Sequence, residues 1–369
     1  MSCFAVVSEV IMSIYVTKPF LPPKDDYTAI ISQIFERRIL TNQGPCVREL
    51  EAKLSEFLGL RNFQYVTNGT IALQLALKAL GITGGEVITT PFTYVATISS
   101  ILWERCTPVF VDIEPDNFTI NADKIEEAVT GNTVAIMPVH VFGYACNVGK
   151  IQEIAERHNL KVIYDAAHAF ASRYNGRSLL DYGDISTCSF HAIKLYHTVE
   201  GGGVAVRDDD VAKKLELVKR FGHNLDEHIC LGINGKQSEF HAAMGLAILP
   251  YLNRIIAERK RVSDLYDRLL SGRVQRPRKQ DGLDYNYAYY PVVFRSESEL
   301  LRVFDRLHSE DIFPRRYFYP SLNNLPYLHN AAHCPVSEDI SCRIACLPLY
   351  PDLKDEEVTK IAQIIGDSL

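Results

Sequence analysis

No Cys-x-x-Cys pair occurs in this 369-residue chain; its nine cysteines are scattered singly. That spacing argues against a disulfide framework and for a reducing, cytoplasmic compartment in which most thiols are small core side chains. There is no excess of positive charge either: 39 Lys and Arg stand against 45 Asp and Glu, a net charge of -6. Without a basic stripe a nucleic-acid partner is not expected. Gly/Ser linkers, low-complexity tracts and internal repeats are absent from the sequence, so domain boundaries must be read from patterning. The opening MSCFAVVSEVIMSIYV is apolar, yet it lacks a basic leader and a clear cleavage site and is too short to cross a bilayer. It reads as an upstream extension with Met12 the functional start and no membrane partner.

What is present fits a soluble protein with a large core and two domains: 47% of residues are hydrophobic and 23% charged. Short apolar runs alternate with helix-length amphipathic stretches. FQYVT precedes TIALQLALKALG, EVITTP precedes YVATISSILWERC, PVFVDI precedes the helix-like ADKIEEAVT, VAIMPVH precedes VGKIQEIAERHNL, and KVIYDAA follows. This is the β-α alternation of an α/β domain, a mostly parallel sheet covered on both faces. From Glu239 a long helical tract begins, and Pro250 should bend or interrupt it. Beyond it, YNYAYYPVVF, ESELLRVFDRLHSE, IACLPLY and KDEEVTKIAQII predict a smaller α+β unit. The expected division is residues 1–250 for the N-terminal segment and large domain, and 251–369 for the small C-terminal domain.

Near the end, His329, His333, Cys334, Cys342 and Cys346 lie close in sequence. Zinc ligands want tight, loop-friendly spacing, whereas CPVSEDISCRIACLPLY mixes an amphipathic turn with an apolar strand. Core packing is the expectation, and no metal.

Two charged residues sit in apolar surroundings. Asp165 ends the run VIYD, where an unpaired carboxylate is costly to bury; an ion pair, a helix N-cap or a functional partner would each satisfy it. Lys194 lies in SFHAIKLYHTVEGGG, between the strand-like DISTCSF and a flexible EGGG. It is either an exposed loop lysine or a desolvated one, whose lowered pKa frees a neutral amine to attack an aldehyde. Ser189 can offer its hydroxyl to an anion. TNGT, Thr67 to Thr70, opens a predicted helix, so it is either a simple turn or a phosphate cradle. Tyr94 can stack on a ring or pack in the core. Taken together, these groups specify pyridoxal 5'-phosphate, with Asp165 keeping a pyridine nitrogen protonated and Lys194 holding the aldehyde.

With LTNQGP, TNGTIALQLAL, VITTPFTYVAT, PVFVDI, PVHVFG, VIYDAAHAF, SFHAIK and GINGKQSEFHAAMGL in place, the chain resembles the DegT/DnrJ/EryC1/StrS sugar aminotransferases from about Val16 to its end. The resemblance implies the fold type I architecture of pyridoxal-phosphate enzymes. It implies Lys194 as the Schiff-base lysine, Asp165 at the pyridine nitrogen, Tyr94 as the stacking ring, and His168 beside the phenolic oxygen. Gly69, Thr70 and Ser189 match phosphate-binding positions, and Asn234 matches an asparagine that reaches the neighbouring subunit's phosphate, which implies a homodimer with shared active sites. Two positions depart from the family pattern: Lys236 replaces an arginine whose bidentate grip it cannot reproduce, and Ile193 replaces a threonine frequent in close relatives.

KPFLPP, SFHAIKLYHTVEGG, RRYFYP and CLPLY are similar to a subset of the family. The implied reaction transfers the amino group of L-glutamate to C-4 of dTDP-4-keto-6-deoxy-D-glucose, for O-antigen-type glycan synthesis. Family alternatives are a C-3 or UDP-linked keto sugar, or a non-catalytic regulatory homologue; dehydration at C-3 is disfavoured because relatives that perform it carry histidine at the lysine position. His191, Arg315, Arg316 and Tyr319 are the candidate contacts of the nucleotide-linked keto sugar and glutamate. Each has an ordinary reading as well, the arginines as solvated charge and the tyrosine as domain packing, and Tyr317 and His197 are open in the same way.

Overall fold

The computed structural model describes residues 13–328 and 332–369. Met12, the extension before it and His329 lie outside the described residues. A two-residue strand, Ile14–Tyr15, leads into helix α1 (Lys24–Arg37) and helix α2 (Pro45–Leu58). Pro45 at the first helical turn and the left-handed Gly59 at the other end bound α2, as proline's missing N–H and glycine's free φ favour. The amides of Cys46 and Val47 are capped from far away, by the carboxylate of the buried Glu239 at 2.8 and 3.0 Å. A side chain at Gly44 would meet that carboxyl group at 2.5 Å, so LTNQGP needs its glycine.

The central sheet has seven strands: β1 (Asn62–Val66), β2 (Glu86–Thr89), β3 (Thr107–Phe110), β4 (Thr133–Met137), β5 (Lys161–Asp165), β6 (Ile185–Ser189) and β7 (Gly202–Val206). Their spatial order is β1-β7-β6-β5-β4-β2-β3. Pairings are parallel from β3 through β2, β4 and β5 to β6, while β7 runs antiparallel between β6 and β1. Helices α3 (Gly69–Ala79), α4 (Val95–Trp103), α5 (Val148–His158) and α6 (Asp209–Val218) cover it. Period-two alternation splits the sheet between two cores. Ala135, Met137 and Ile163 face a core that includes α3 residues, whereas Ile136, Val162 and Tyr164 face one that includes α5 residues. The expected α/β class and mostly parallel sheet are thus what the chain adopts.

The tract from Glu239 breaks at Pro250 as expected: α7 (Glu239–Ile248) and α8 (Leu252–Leu269) are joined by a single tight turn, Leu249–Tyr251. By length and composition the tract is apolar enough to cross a membrane, but α7 is buried along most of its length beside α1 and α2. A separate core joins Val262 and Tyr266 of α8 to β8 (Pro291–Val293), α9 (Glu297–His308), β9 (Ile344–Cys346) and α11 (Asp355–Gly366), with α10 (Pro335–Arg343) preceding β9. Ile14–Tyr15 pairs in parallel with Ile312–Phe313 beside this third core.

Three local expectations change. ADKIEEAVT forms two short 3-10 turns, Ala122–Lys124 and Glu126–Ala128, rather than an α-helix. CPVSEDISC is a helix, not a turn, and its glutamate pairs with His333 at 2.9 Å; no group of three or more His, Cys, Asp or Glu side chains is placed to hold an ion among the described residues. EGGG is not a flexible link: Gly202 and Gly203 lie buried inside β7. A Cβ at Gly202 would come within 2.5 Å of the Asn68 carbonyl and 2.9 Å of the Gly69 nitrogen, backbone that cannot step aside as a side chain would. Gly202→Ala should therefore destabilise the fold by about 1–3 kcal/mol, read as a lower urea midpoint at unchanged slope.

Candidate active site

One cavity of about 560 Å³ opens where β2, β4, β5 and β6 end, lined by Gly69, Thr70, Tyr94, Asp165, His168, Ser189, His191, Lys194 and Arg315 among others. The carboxyl ends of parallel strands are where α/β sheets place their ligands, and here the topology gathers nine of the twelve residues singled out from sequence.

Asp165 forms the last position of β5 and is buried. Among the described residues it is neither ion-paired nor a helix cap. Its Oδ2 accepts a 2.7 Å hydrogen bond from the Thr97 hydroxyl and its Oδ1 accepts the Ala167 amide at 3.0 Å. Thr97 spends its one proton on Asp165, so the 2.8 Å contact between the two threonine hydroxyls is donated by Thr93. Burial pushes the Asp165 carboxyl above its ordinary range, against the Thr97 and Ala167 hydrogen bonds and the Lys194 charge, which favour the anion. A carboxylate so desolvated is best satisfied by a cation brought into the cavity.

Lys194 sits in the loop after β6, its side chain opening on the cavity while protein crowds it on the other sides. Burial lowers its pKa to about 8; Asp165 and Tyr94 act in the opposite sense and Arg315 adds to the lowering. Near neutrality it therefore carries an appreciable neutral fraction. His168 is buried, with Nδ1 accepting the Phe142 amide at 3.2 Å, which leaves Nε2 as the protonated nitrogen. Burial and the Lys194 charge hold it well below the ordinary histidine range, so it is neutral.

At the other end, Asn68 caps α3 by accepting the Ile71 amide at 2.9 Å. The amides of Gly69 and Thr70 have no acceptor among the described residues. They point out of the positive end of a helix beside Ser189, whose Cβ would lie 2.9 Å from any Cβ placed on Gly69. Such unpaired amides suit a phosphate. A carboxylate wanting a cation, a depressed amine and a phosphate cradle in one cavity are the donor set that pyridoxal phosphate requires, and the residues present fit it. Tyr94, 55% exposed at the first turn of α4, is free to cover a flat ring.

Three sequence candidates lie elsewhere. The Arg316 guanidinium is engaged by Glu297 at 2.7 Å and the Cys342 carbonyl at 2.6 Å. Tyr319 packs under it, 3.5 Å from ring centre to guanidinium carbon. Asn234 pairs with Arg220 at the base of an exposed arm, outside this chain's cavity. His197 is buried and structural: it bonds the Phe20 carbonyl at 2.8 Å and accepts the Val199 amide at 3.2 Å. Sequence reasoning missed Thr97 and Tyr289. Thr97 had a signal, since Thr93 and Thr97 stand one helical turn apart in TTPFTYVAT. Tyr289 had none, sitting in a tyrosine-rich run that reads as strand.

With no cofactor added, labelling of Lys194 by an amine-reactive reagent should rise with pH around a midpoint near 8. In Asp165→Asn the midpoint should fall further, because the anion that favours the ammonium is gone. Peptide mass spectrometry across a pH series measures both.

Comparison with known proteins adds to this geometry. Residues 24–366 match the family model for DegT/DnrJ/EryC1/StrS aminotransferases. The dTDP-4-amino-4,6-dideoxy-D-glucose transaminase of Shigella dysenteriae is 39% identical over 364 residues, 96% of this chain and 98% of that protein. An Escherichia coli protein of the same name is 38% identical over 366 residues, with 96% and 98% covered. Among solved structures, DesI crystallised in the presence of its TDP-sugar product superimposes with a TM-score of 0.90 at 31% identity, covering 96% of this chain and 92% of DesI.

Proposed function

The chain belongs to the DegT/DnrJ/EryC1/StrS aminotransferase family, and from that premise we propose that it moves the amino group of L-glutamate to C-4 of dTDP-4-keto-6-deoxy-D-glucose. The product would be dTDP-4-amino-4,6-dideoxyglucose, made for an O-antigen-type glycan. The family is one of pyridoxal-phosphate-dependent sugar nucleotide aminotransferases. The observation that carries the reading is the joint placement of Asp165, Lys194 and the α3 amides in one cavity.

Pyridoxal phosphate, when bound, supplies the electron sink that makes the Cα proton of an amino donor acidic. The chain's own residues do the rest. The amides of Gly69 and Thr70 and the hydroxyl of Ser189 would hold the phosphate, Asp165 would keep the ring nitrogen protonated, and Tyr94 would stack on the ring, a contact worth about 0.5–1.5 kcal/mol beyond burial. The Nε2–H of His168 is the donor available to the phenolic oxygen. Lys194 would hold the cofactor's aldehyde, and its amine is the group placed to act as general base for the Cα proton of the amino donor. Arg315 has no acidic partner among the described residues and lies over Tyr317 with its guanidinium carbon 4.9 Å from the ring centre. It is the cation that can anchor a substrate carboxylate.

The same reading makes the protein a cytoplasmic homodimer with shared sites, and divides it near residue 250 into a large and a small domain. The eight described cysteines are all free. The arm carrying Asn234 exposes Phe221, Leu225, Ile229, Leu231 and Ile233, a side-chain set that a second copy would cover. Lys236 at its base lies 4.9 Å from the Phe221 ring centre, an arrangement that substitutes a cation–π contact for a forked hydrogen bond.

Purified protein should be yellow with cofactor and bleach on adding glutamate. Lys194→Ala should abolish turnover, and ordinary steady-state activity in that variant would end its assigned role. Asp165→Asn should cut kcat by about 100-fold or more while weakening cofactor retention far less; equal losses would contradict the electron-sink assignment. The substrate is tested by incubation with glutamate and a panel of nucleotide-linked keto sugars, locating the new amine by NMR. An amine at C-3, or turnover confined to UDP sugars, would replace the substrate proposed.

A further inference from the structure

The Lys194 amine has one hydrogen-bond partner among the described residues, the Tyr289 hydroxyl at 3.1 Å. That hydroxyl has no other partner among them. Tyr289 itself is buried and its ring is fixed: the His168 ring centre lies 4.3 Å away, those of Phe142 and Tyr317 both 5.8 Å away. Its backbone is tied down as well. The Tyr285 hydroxyl donates to the Tyr289 carbonyl at 2.9 Å, the buried Arg259 donates to the Ala288 carbonyl at 3.1 Å, and Asn286 accepts the Ala288 amide at 3.0 Å. Asn286 also donates to the carbonyls of His168 and Phe170 at 2.8 and 2.9 Å. The segment bearing Tyr289 is thus laced to the segment that follows Asp165.

A hydroxyl donates and accepts, so it can keep a hydrogen bond to a lysine in both protonation states. It accepts from the ammonium, and it donates to the lone pair of the neutral amine. A carboxylate partner would bias the lysine strongly toward the ammonium, and a backbone amide could bind only the free amine. Burial pushes the Tyr289 phenol far up, so it stays protonated while Lys194 titrates. This matters for a base that must lose and regain a proton without leaving its place. We propose that Tyr289 is the positioning residue for the Lys194 amine, holding its nitrogen in register with the Cα of the amino donor both before and after it takes the proton. The inference rests on the transaminase reading for its consequence in turnover, but not for the contact itself.

Tyr289→Phe tests it, since the ring and its packing against His168, Phe142 and Tyr317 are retained. Expected are a cofactor affinity and a glutamate KM near the parent values with kcat lower by about tenfold, the value of one lost hydrogen bond in the transition state. The isotope effect on the bleaching rate with glutamate deuterated at Cα should grow, because proton transfer becomes more rate-limiting; a purely structural role would not move it. An unchanged kcat, or a slower rate with an unchanged isotope effect, would overturn the proposal. In the cofactor-free proteins the labelling midpoint of Lys194 should fall in the variant, because the charge-assisted bond to the ammonium is the stronger of the two states. An identical midpoint would overturn the contact. If glutamate fails to bleach the parent, the transaminase reading falls while the labelling experiment still judges Tyr289 separately.

Discussion

An acid and an amine share one cavity here without joining each other. Asp165 and Lys194 feel one another's charge, yet among the described residues no salt bridge links them; Asp165 is held by Thr97 and Ala167, and Lys194 by Tyr289. Direct pairing would be the cheaper local solution, because a buried charge next to its opposite recovers much of its desolvation cost. It would also return the lysine toward its ordinary pKa and deny Asp165 to any ligand. Keeping the two apart leaves each hydrogen-bonded but without an opposite charge in contact, and a flat cationic heterocycle with an aldehyde at the opposite end would engage both at once. The remaining architecture can be understood as what enforces that separation.

Strand direction does much of this. β5 and β6 are parallel neighbours in register, with Asp165 opposite Thr187. Asp165 and the loop carrying Lys194 therefore emerge from the same edge of the sheet but from different strands. The antiparallel β7 then returns the chain under the start of α3. Because Gly202 lies against the Asn68–Gly69 backbone, the phosphate cradle is seated directly on the strand that follows the lysine loop. Three glycines after Lys194 are thus a packing requirement of the sheet and not a hinge. Helix α2, although remote from the chemistry, is fastened to α7 through Glu239, and with it the first half of the large core.

The parts legible from sequence share a physical property: each is encoded locally. Alternating strands and amphipathic helices declare themselves by period, which is why the sheet and α3 to α5 were recoverable. Asp165, Lys194 and Ser189 were recoverable because a charged or hydroxyl residue ending an apolar run demands a reason. The misses are of another kind. ADKIEEAVT carries helical composition but is too short to repay helix nucleation, and it settles into two 3-10 turns. Thr97 and Tyr289 matter only through side chains to which the fold brings them across 68 and 95 positions of sequence. Nothing in YNYAYYPVVF distinguishes the tyrosine that reaches the lysine from Tyr290, which packs against Tyr266 in the other core.

The adjacent arginines show why position can outweigh residue type. Arg315 and Arg316 are indistinguishable by composition, and both were candidates for an anionic substrate. The backbone of Arg315 pairs with Cys346 at the edge of the β8–β9 unit, and in an extended segment successive side chains leave on opposite sides. One guanidinium is consequently turned into the cavity with no carboxylate beside it among the described residues. The other is turned back onto Glu297 and the Cys342 carbonyl, where it ties the start of α9 to the end of α10. The Nη2 of Arg316 is already engaged by protein acceptors, whereas Arg315 keeps its full fork for a ligand. Exchanging their roles would require a shift of one residue in the Arg315–Cys346 pairing, and that shift would reverse the side of every side chain in the segment.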